Sequence, residues 1–529
     1  MVASAATIQP GEVAGVWSKR AGALTGALSA LVALAAAELI SLVLPGEPSP
    51  VRAIADIIID TTPAGIREPL IRAVGTADKP ILTVGIILVI FGAGALVGAR
   101  YRNIAQKSWP VYLILGLLIA ALTAAATAAV FASLVTGLAG ALAGWATLAF
   151  LLQTTSSPIE TASGELAVSV RPTLDRRTFL VSSGAVGVLA VAGVAVLSGV
   201  RATTQRSVEI ARALLKLPAP SRLAAPVPAS AGIDLPGMPA PITPNDDFYR
   251  IDTALVAPAV DVDNWTLTIT GRVQRPITLT YGDIMEMPQV ERHITLACVS
   301  NPVGGDLVGN ALWQGVLLRT VLENAGIGSG GEQLVAESVD GFTAAFPVQV
   351  AMDDRDALIA VGMNGEVLPI NHGFPARLVV PGLYGYVSAT KWLREIRLTT
   401  FAEESGFWIP RGWIADGTIE AASRIDVPTN RASIPVGNVV VAGRAWHQRV
   451  PIGGVEVAVD EETWRPATLA TDMGIDTWRL WSWNWAATPG EHSLRVRMID
   501  ANGDVQSPAV RRPGPGPSSG YQSVDVFVT

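Results

Sequence analysis

Cys298 ends the strand-like run Arg292-His-Ile-Thr-Leu-Ala-Cys, precedes Val-Ser-Asn-Pro-Val-Gly-Gly, and is the only cysteine in 529 residues. A lone thiol excludes an intrachain disulfide and any cluster built from several cysteines. Four readings of it stay open: a small buried hydrophobe, a nucleophile, a redox-sensitive thiol, or one thiolate ligand to a soft metal held mainly by something else. A nucleophile needs a base, yet His293, five residues upstream, falls on the opposite face of a regular strand. A metal held by side chains alone wants three or four ligands, and one Cys with four scattered His (293, 372, 447 and 492) does not offer them. For the metal reading, an organic cofactor has to supply the remaining ligands.

Such a cofactor needs cations and hydrogen-bond donors. Ile370–Leu398, "INHGFPARLVVPGLYGYVSATKWLREIRL", offers His372, Arg377 and Lys391 around Gly-rich turns. Glycine lets backbone N–H groups approach an anion, while Arg and Lys pair with phosphate. These charges sit among Pro, Gly and apolar residues, unlike those of a basic surface loop.

The surrounding pattern is mixed. Trp265–Val273 alternates as a strand, Leu279–Pro288 reads as a short helix with its stop, and Arg292–Cys298 is another strand. Leu317–Ala325 is helix-like, Gln333–Val348 is strand–turn–strand around Asp340-Gly341, and Ala376–Gly382 is a buried strand. This predicts an α+β domain over 241–436. From 437 to 529, short alternating runs between turn residues predict a β-sandwich of immunoglobulin-like size. Its six tryptophans (446, 464, 478, 481, 483, 485) read mostly as core. Residues 201–240 are Pro/Ala-rich and read as an extended linker.

Residues 1–200 carry most of the hydrophobicity behind the mean hydropathy of +0.40. Ala21–Leu44, Pro80–Ala99, Val111–Leu152 and Phe179–Val200 are apolar. The third runs 42 residues without a charge, twice the ~20 a membrane helix needs, so it predicts two spans with a turn near Ala132–Thr136. The reading is an all-α bundle of about five transmembrane helices. Gly94-x-x-x-Gly98 suits close helix contact, and Glu38 is a functional candidate as an acid inside an apolar span. Lys19, Arg20, Arg100, Arg102, Lys107, Arg171, Arg176 and Arg177 fall on one side. The opposite side carries Arg52, Arg67, Arg72 and Lys79 in one longer stretch. The positive-inside rule then places the N-terminus in the cytoplasm and residues 201–529 outside it. "LDRRTFLVSSGAVGVLAVAGV", Leu174–Val194, is similar to a twin-arginine export signal, here internal. That route carries folded, cofactor-loaded domains. The net charge of −7 and the absence of a long Lys/Arg run exclude a nucleic-acid surface.

The blocks "ITLACVSNPVGGDLVGNALWQGVLLRTVLENAGI" and "MNGEVLPINHGFPARLVVPGLYGYVSATKWLREIRL" resemble the molybdenum-cofactor domain of the sulfite oxidase family, and the Trp/Asp-rich tail resembles that family's immunoglobulin-like dimerisation domain. The resemblance covers about 240–529 and is most specific over Asn364–Arg377. It implies a molybdenum–molybdopterin cofactor with Cys298 as the thiolate on the metal and the catalytic centre. It also implies pterin and phosphate contacts from Asp247, Phe248, Tyr249, Arg250 and Ile251, from Asp340, His372 and Arg377, and from Ala389, Thr390 and Lys391.

Two departures bear on the substrate. Vertebrate and plant sulfite oxidases follow the Cys with Ala-Gly-Asn-Arg, and that Arg helps bind sulfite, whereas Cys298 is followed by Val299-Ser300-Asn301-Pro302. The active-site Tyr expected late in the domain has no clear counterpart; Trp408, Arg411 and Trp413 stand there instead. Periplasmic methionine sulfoxide reductases, another branch, also lack the sulfite pattern. All four His lie outside the apolar segments, which predicts no haem in this chain and an external cytochrome or quinone-linked electron carrier. The expectation is a membrane-anchored oxidoreductase, in lipid and as a homodimer through its tail, moving an oxygen atom to or from a small oxyanion, sulfoxide or N-oxide. Its rivals are a non-catalytic exported binding module of the same fold and a transporter fused to a sensor.

Overall fold

The computed structural model describes residues 10–44, 49–62, 78–102, 105–127, 130–153, 176–254, 256–460 and 463–529. Arg67, Arg72, Arg171 and Leu174, on which part of the orientation and export readings rests, lie outside the described residues. The chain divides into two compact units, Met1–Thr204 and Gln205–Thr529.

The first unit is helical: α1 (Pro10–Val43), α2 (Pro50–Thr61), α3 (Asp78–Tyr101), α4 (Trp109–Thr127), α5 (Val130–Gln153) and the start of α6 (Arg176–Leu214). Where five spans are expected, three segments among the described residues are long and apolar enough to cross a membrane: Lys19–Ser41, Ile81–Tyr101 and Val130–Leu152. Trp109–Ala124 is apolar but shorter. The stretch Ala132–Thr136, where the turn is expected, is helical; α4 is described through Thr127 and α5 from Val130. Leu117–Thr136 contains no Gly or Pro, so nothing local fixes the break. Packing does: a Cβ on Gly116 would lie 2.5 Å from the Gly137 carbonyl oxygen, which sets the register of α4 on α5.

The Gly94-x-x-x-Gly98 stripe has a partner that the sequence reading passed over. A Cβ on Gly26 would lie 2.0 Å from Gly94 O, and one on Gly98 2.0 Å from Gly22 O. The Gly22/Gly26 and Gly94/Gly98 stripes thus bring α1 and α3 into backbone contact. Glu38 is buried, and its Oε1 accepts from Ser49 Oγ (2.7 Å) and Val51 N (3.1 Å). A carboxylate at the first turn of α2 complements that helix's dipole.

The second unit opens on two sheets. One orders β2 (Ile277–Thr280), β1 (Thr266–Gly271), β10 (Leu393–Thr399), β5 (Gln333–Ser338) and β6 (Thr343–Pro347). The other orders β3 (Val290–Ala297), β4 (Val308–Leu317), β7 (Leu358–Met363) and β8 (Glu366–Val367), with β9 (Arg377–Val379) on β7. The predicted short helix is Tyr281–Glu286, started by a capping box in which Thr280 Oγ1 and Asp283 exchange hydrogen bonds with each other's backbone. Leu318–Ala325 is helical as expected.

Two boundaries differ from the sequence reading. The expected linker is helical through Leu214, and the rest is tied down: Ser221 N donates to Gln289 O (2.8 Å) and Gln314 Nε2 to Pro218 O (2.8 Å). Pro and Ala composition cannot show that such a strand finds partners on a neighbouring sheet edge. The second all-β layer starts at β11 (Ala422–Val427), ahead of residue 437. It packs the sheet β11, β13 (Gly437–Trp446), β17 (Arg479–Ala487), β16 (Thr468–Leu469) on the sheet β12 (Ala432–Ile434), β19 (Gln522–Val528), β18 (Gly490–Asp500), β14 (Ile452–Val459), β15 (Arg465–Pro466). Trp481 and Trp485 fill its core, whereas Trp446 and Trp478 join the core of the preceding domain. Trp478 also donates from Nε1 to Pro241 O (2.9 Å), and Thr295 Oγ1 accepts from Trp478 N (2.8 Å). The two β layers are therefore joined through shared apolar packing.

Candidate molybdopterin site

Cys298 follows directly on β3 and opens a closed loop. Its N–H donates to Leu307 O (2.9 Å), Asn301 N donates back to Cys298 O (3.0 Å), and Asn301 Oδ1 accepts from Leu307 N (2.9 Å). Gly305 is needed here, because a Cβ would meet Asn301 Oδ1 at 2.4 Å. The thiol is buried, and burial pushes its pKa up against the pull of hydrogen bonds from Ser300. Such a sulfur is an inert thiol by itself and a thiolate once a metal holds it.

The basic group is assembled from three segments. Gly373, at φ 115°, has no room for a side chain: a Cβ would lie 3.0 Å from Lys391 Cβ and 3.1 Å from Arg377 Cβ. That close approach brings His372, Arg377 and Lys391 together. Arg377 is buried; it donates to His372 O (3.1 Å) and Leu378 O (3.3 Å), and its guanidinium lies 5.0 Å from the Trp313 ring centroid. Among the described residues no carboxylate pairs with it. Burial alone draws its pKa down to about 10. Lys391 is also buried, with Nζ on Asp252 Oδ2 (2.8 Å) and Asn371 O (3.2 Å), and burial outweighs Asp252 to bring it to about 8. His372 Nε2 faces Asn245 O (2.9 Å), and burial, helped by the cations Arg377, Lys391 and Arg250, holds the ring near 4.

The expected contact residues divide. Phe248 is buried, stacked on Tyr249 at 5.2 Å and edge-on to Trp313 (5.8 Å) and His372 (5.6 Å). Arg250 is half-exposed and pairs with Asp252 (3.0 Å). Asp247 and Ile251 are exposed on the outer side of this segment. Asp340 lies in the β5–β6 turn, where its Oδ1 accepts from Phe342 N (3.4 Å). Its neighbour Val339 donates to Trp392 O (2.8 Å), so the turn abuts the Lys391 segment. Thr390 is buried against Ala336 O (3.4 Å), and Ala389 ends the turn of helix Gly385–Ser388.

His293 is turned away from Cys298, its Nε2 on Ala225 O (3.1 Å), as the strand alternation predicts. His447 and His492 lie by Asp500 and Asp460 in the second β layer. Trp408, Arg411 and Trp413 form an aromatic cluster with Phe407 and Tyr386, and none of them lines the Cys298 cavity. Tyr384 lines it instead, and the Tyr249 phenol feels the Cys298 sulfur as well. Sequence reasoning missed Asp252 and Tyr384; the one signal was position, two residues after Arg250 and within the Gly-rich Leu383–Gly385 turn.

The donor set fits a molybdopterin. A buried soft sulfur suits the metal. A buried guanidinium without a carboxylate, beside a buried ammonium, suits an anionic, phosphate-bearing group, because an unpaired buried charge is otherwise costly.

The chain's relatives agree. The family described as "Oxidoreductase molybdopterin binding domain" matches residues 254–408. The uncharacterized oxidoreductase YuiH of Bacillus subtilis is 33% identical over 153 residues, 29% of this chain and 74% of that protein. Sulfite oxidase of Gallus gallus is 29% identical over 321 residues, 51% of this chain and 69% of that enzyme. Sulfite oxidase of Arabidopsis thaliana is 34% identical over 204 residues, 32% of this chain and 51% of that enzyme. Among solved structures, the sulfane dehydrogenase SoxCD from Paracoccus pantotrophus aligns with 55% of this chain and 85% of its own at 24% identity and a TM-score of 0.48. The chain belongs to the sulfite oxidase family and is a molybdenum–molybdopterin oxidoreductase.

Proposed function

We propose that the chain is a membrane-anchored enzyme whose Gln205–Thr529 unit works outside the cytoplasm and transfers an oxygen atom to or from a small substrate. The carrying observation is the buried Arg377, without a carboxylate and beside Lys391 and His372, in the same domain as the buried Cys298 thiol. In this reading Cys298 ligates molybdenum. Phe248, Tyr249, Arg250, His372, Arg377, Ala389, Thr390 and Lys391 hold the pterin and its phosphate, with Asp340 from the neighbouring turn and Asp247 and Ile251 flanking. The bound cofactor supplies the two-electron oxygen-atom chemistry. The protein's part is to bury the site, orient the cofactor through Gly373 and its three basic neighbours, and keep the His372 ring neutral. An external cytochrome or quinone-linked carrier exchanges the electrons.

The three long apolar helices support a lipid anchor; the apolar segments and Arg176-Arg177 of the sequence carry the reading of about five spans with an internal twin-arginine signal. The second β layer reads as an immunoglobulin-like domain of the dimerisation type. Molybdenum and pterin content of the full chain tests the central reading: stoichiometric cofactor, lost in Cys298→Ser, is expected. A chain without cofactor, from a host that makes and loads it, leaves the non-catalytic module. Export is tested separately, since Arg176→Lys with Arg177→Lys should retain Gln205–Thr529 in the cytoplasm.

A further inference from the structure

On the side of Cys298 that faces the second β layer lies a small cavity of about 30 Å³, walled by Asn301, Tyr384, Trp446, Gln506, Ser518 and Ser519 among others. None of its lining residues is Lys, Arg or His. The cations behind the wall are already balanced. Arg511, whose Nε donates to Ser519 Oγ (2.8 Å), pairs with Glu420 (2.7 Å). Arg424 and Arg444 both pair with Asp426 (2.8 and 3.1 Å), Asp306 adds a second carboxylate, and Arg424 Nη1 is spent on Gly305 O. Three cations face three carboxylates, so this wall offers an incoming anion no net positive charge.

Most of the cavity's polar groups are also engaged. Ser518 Oγ donates to Asn301 O (2.6 Å), Ser519 Oγ to Ala509 O (2.6 Å), and Gln506 Nε2 to Gly520 O (2.8 Å). Besides the Trp446 indole N–H, for which no acceptor is described, two donors are left. Asn301 is only 8% exposed, and its Oδ1 is fixed on Leu307 N, yet among the described residues nothing accepts from its Nδ2. Tyr384 Oη accepts from Glu420 N (3.3 Å), and no described group receives its own proton. A phenol is protonated at neutral pH, and is therefore a donor.

We infer that this cavity selects an uncharged oxo compound, a sulfoxide or N-oxide, over an oxyanion, with Asn301 Nδ2 and the Tyr384 hydroxyl both donating to its single oxygen. Two neutral donors match the two lone-pair directions of one such oxygen. A sulfite- or sulfate-like anion would instead be desolvated with no cation to meet it, which is costly. This rests on the oxidoreductase reading above and narrows it to a substrate class.

The test uses the full chain, loaded with molybdenum, and reads binding through the Mo(V) electron paramagnetic resonance lines rather than turnover. Dimethyl sulfoxide and trimethylamine N-oxide are titrated against sulfate and phosphate. The oxo compounds should shift the lines at concentrations at least about tenfold below those the anions need. Asn301→Asp keeps the acceptor that closes the loop but replaces the donor with a carboxylate, and should weaken oxo-compound binding about tenfold. Tyr384→Phe should weaken it about fivefold. Both variants should keep their molybdenum. Tighter binding of the anions, or wild-type affinity in both variants, overturns the selectivity and leaves the enzyme reading standing. Failure to take up molybdenum overturns both.

Discussion

Arg377 stacks its guanidinium 5.0 Å above the ring of Trp313, and its hydrogen-bond acceptors among the described residues are backbone carbonyls. A buried cation held this way stabilises the domain little by itself; its use lies in the anion it can receive. Arg377→Met should therefore leave the cofactor-free protein as stable, or more stable by about 1–3 kcal/mol, while abolishing cofactor retention. Urea unfolding of cofactor-free protein beside molybdenum analysis of loaded protein separates the two effects. A large loss of stability in the cofactor-free variant would mean that Arg377 serves the fold.

Cys298 should be a slow thiol without metal. Burial raises its pKa above the ordinary value, and the side chain is nearly inaccessible. Alkylation by iodoacetamide at pH 7 should run roughly tenfold or more below that of free cysteine, quicken above pH 9, and stop once molybdenum is bound. Rapid labelling of the loaded protein at neutral pH would remove Cys298 from the metal.

Stability between pH 4 and 6.5 should carry two opposed slopes. His372 is held near 4 against 6.5 for the free ring, so the unfolded chain binds more protons in that window and stability falls as pH drops through it. The full effect is on the order of 3 kcal/mol. Asp476 runs the other way: burial, opposed by Arg449, raises it to about 6 from 3.8, so its contribution is present at low pH and lost as pH rises to 6. His372→Gln should expose the Asp476 slope, with Tm falling from pH 4 to 6, and Asp476→Asn should steepen the acid loss. Thermal melts across this range read both.

In the helical unit, Gly26→Leu should be poorly tolerated, because even a Cβ would sit 2.0 Å from Gly94 O. Gly92→Leu, where a Cβ meets nothing within 4 Å, should be near neutral. The cost at Gly26 should reach about 1–3 kcal/mol or prevent assembly. Unfolding midpoints in detergent compare the two, and equal behaviour would show that the α1–α3 contact does not form.

Local pattern settled much of this protein. Period-2 alternation marked β1 and the long strands of the second β layer, strand-like runs marked β3 and β5, and the Thr280/Asp283 pair starts the short helix that the sequence places there. Uninterrupted apolar stretches marked the membrane-type helices, and the Asn364–Arg377 run marked the family. What the sequence could not carry were relations between distant segments. Gly22/Gly26 has no meaning until Gly94/Gly98 lies against it. Asp252 is an ordinary acid until folding buries it 2.8 Å from Lys391, 139 residues away. Tyr384 is one aromatic among many until the β9–β10 connection sets it beside Cys298. Periodicity reports which way a side chain points from its own backbone, and that is a local property. Burial, and hence charge, pKa and the partner each donor is left without, is decided by whatever the rest of the chain packs against it.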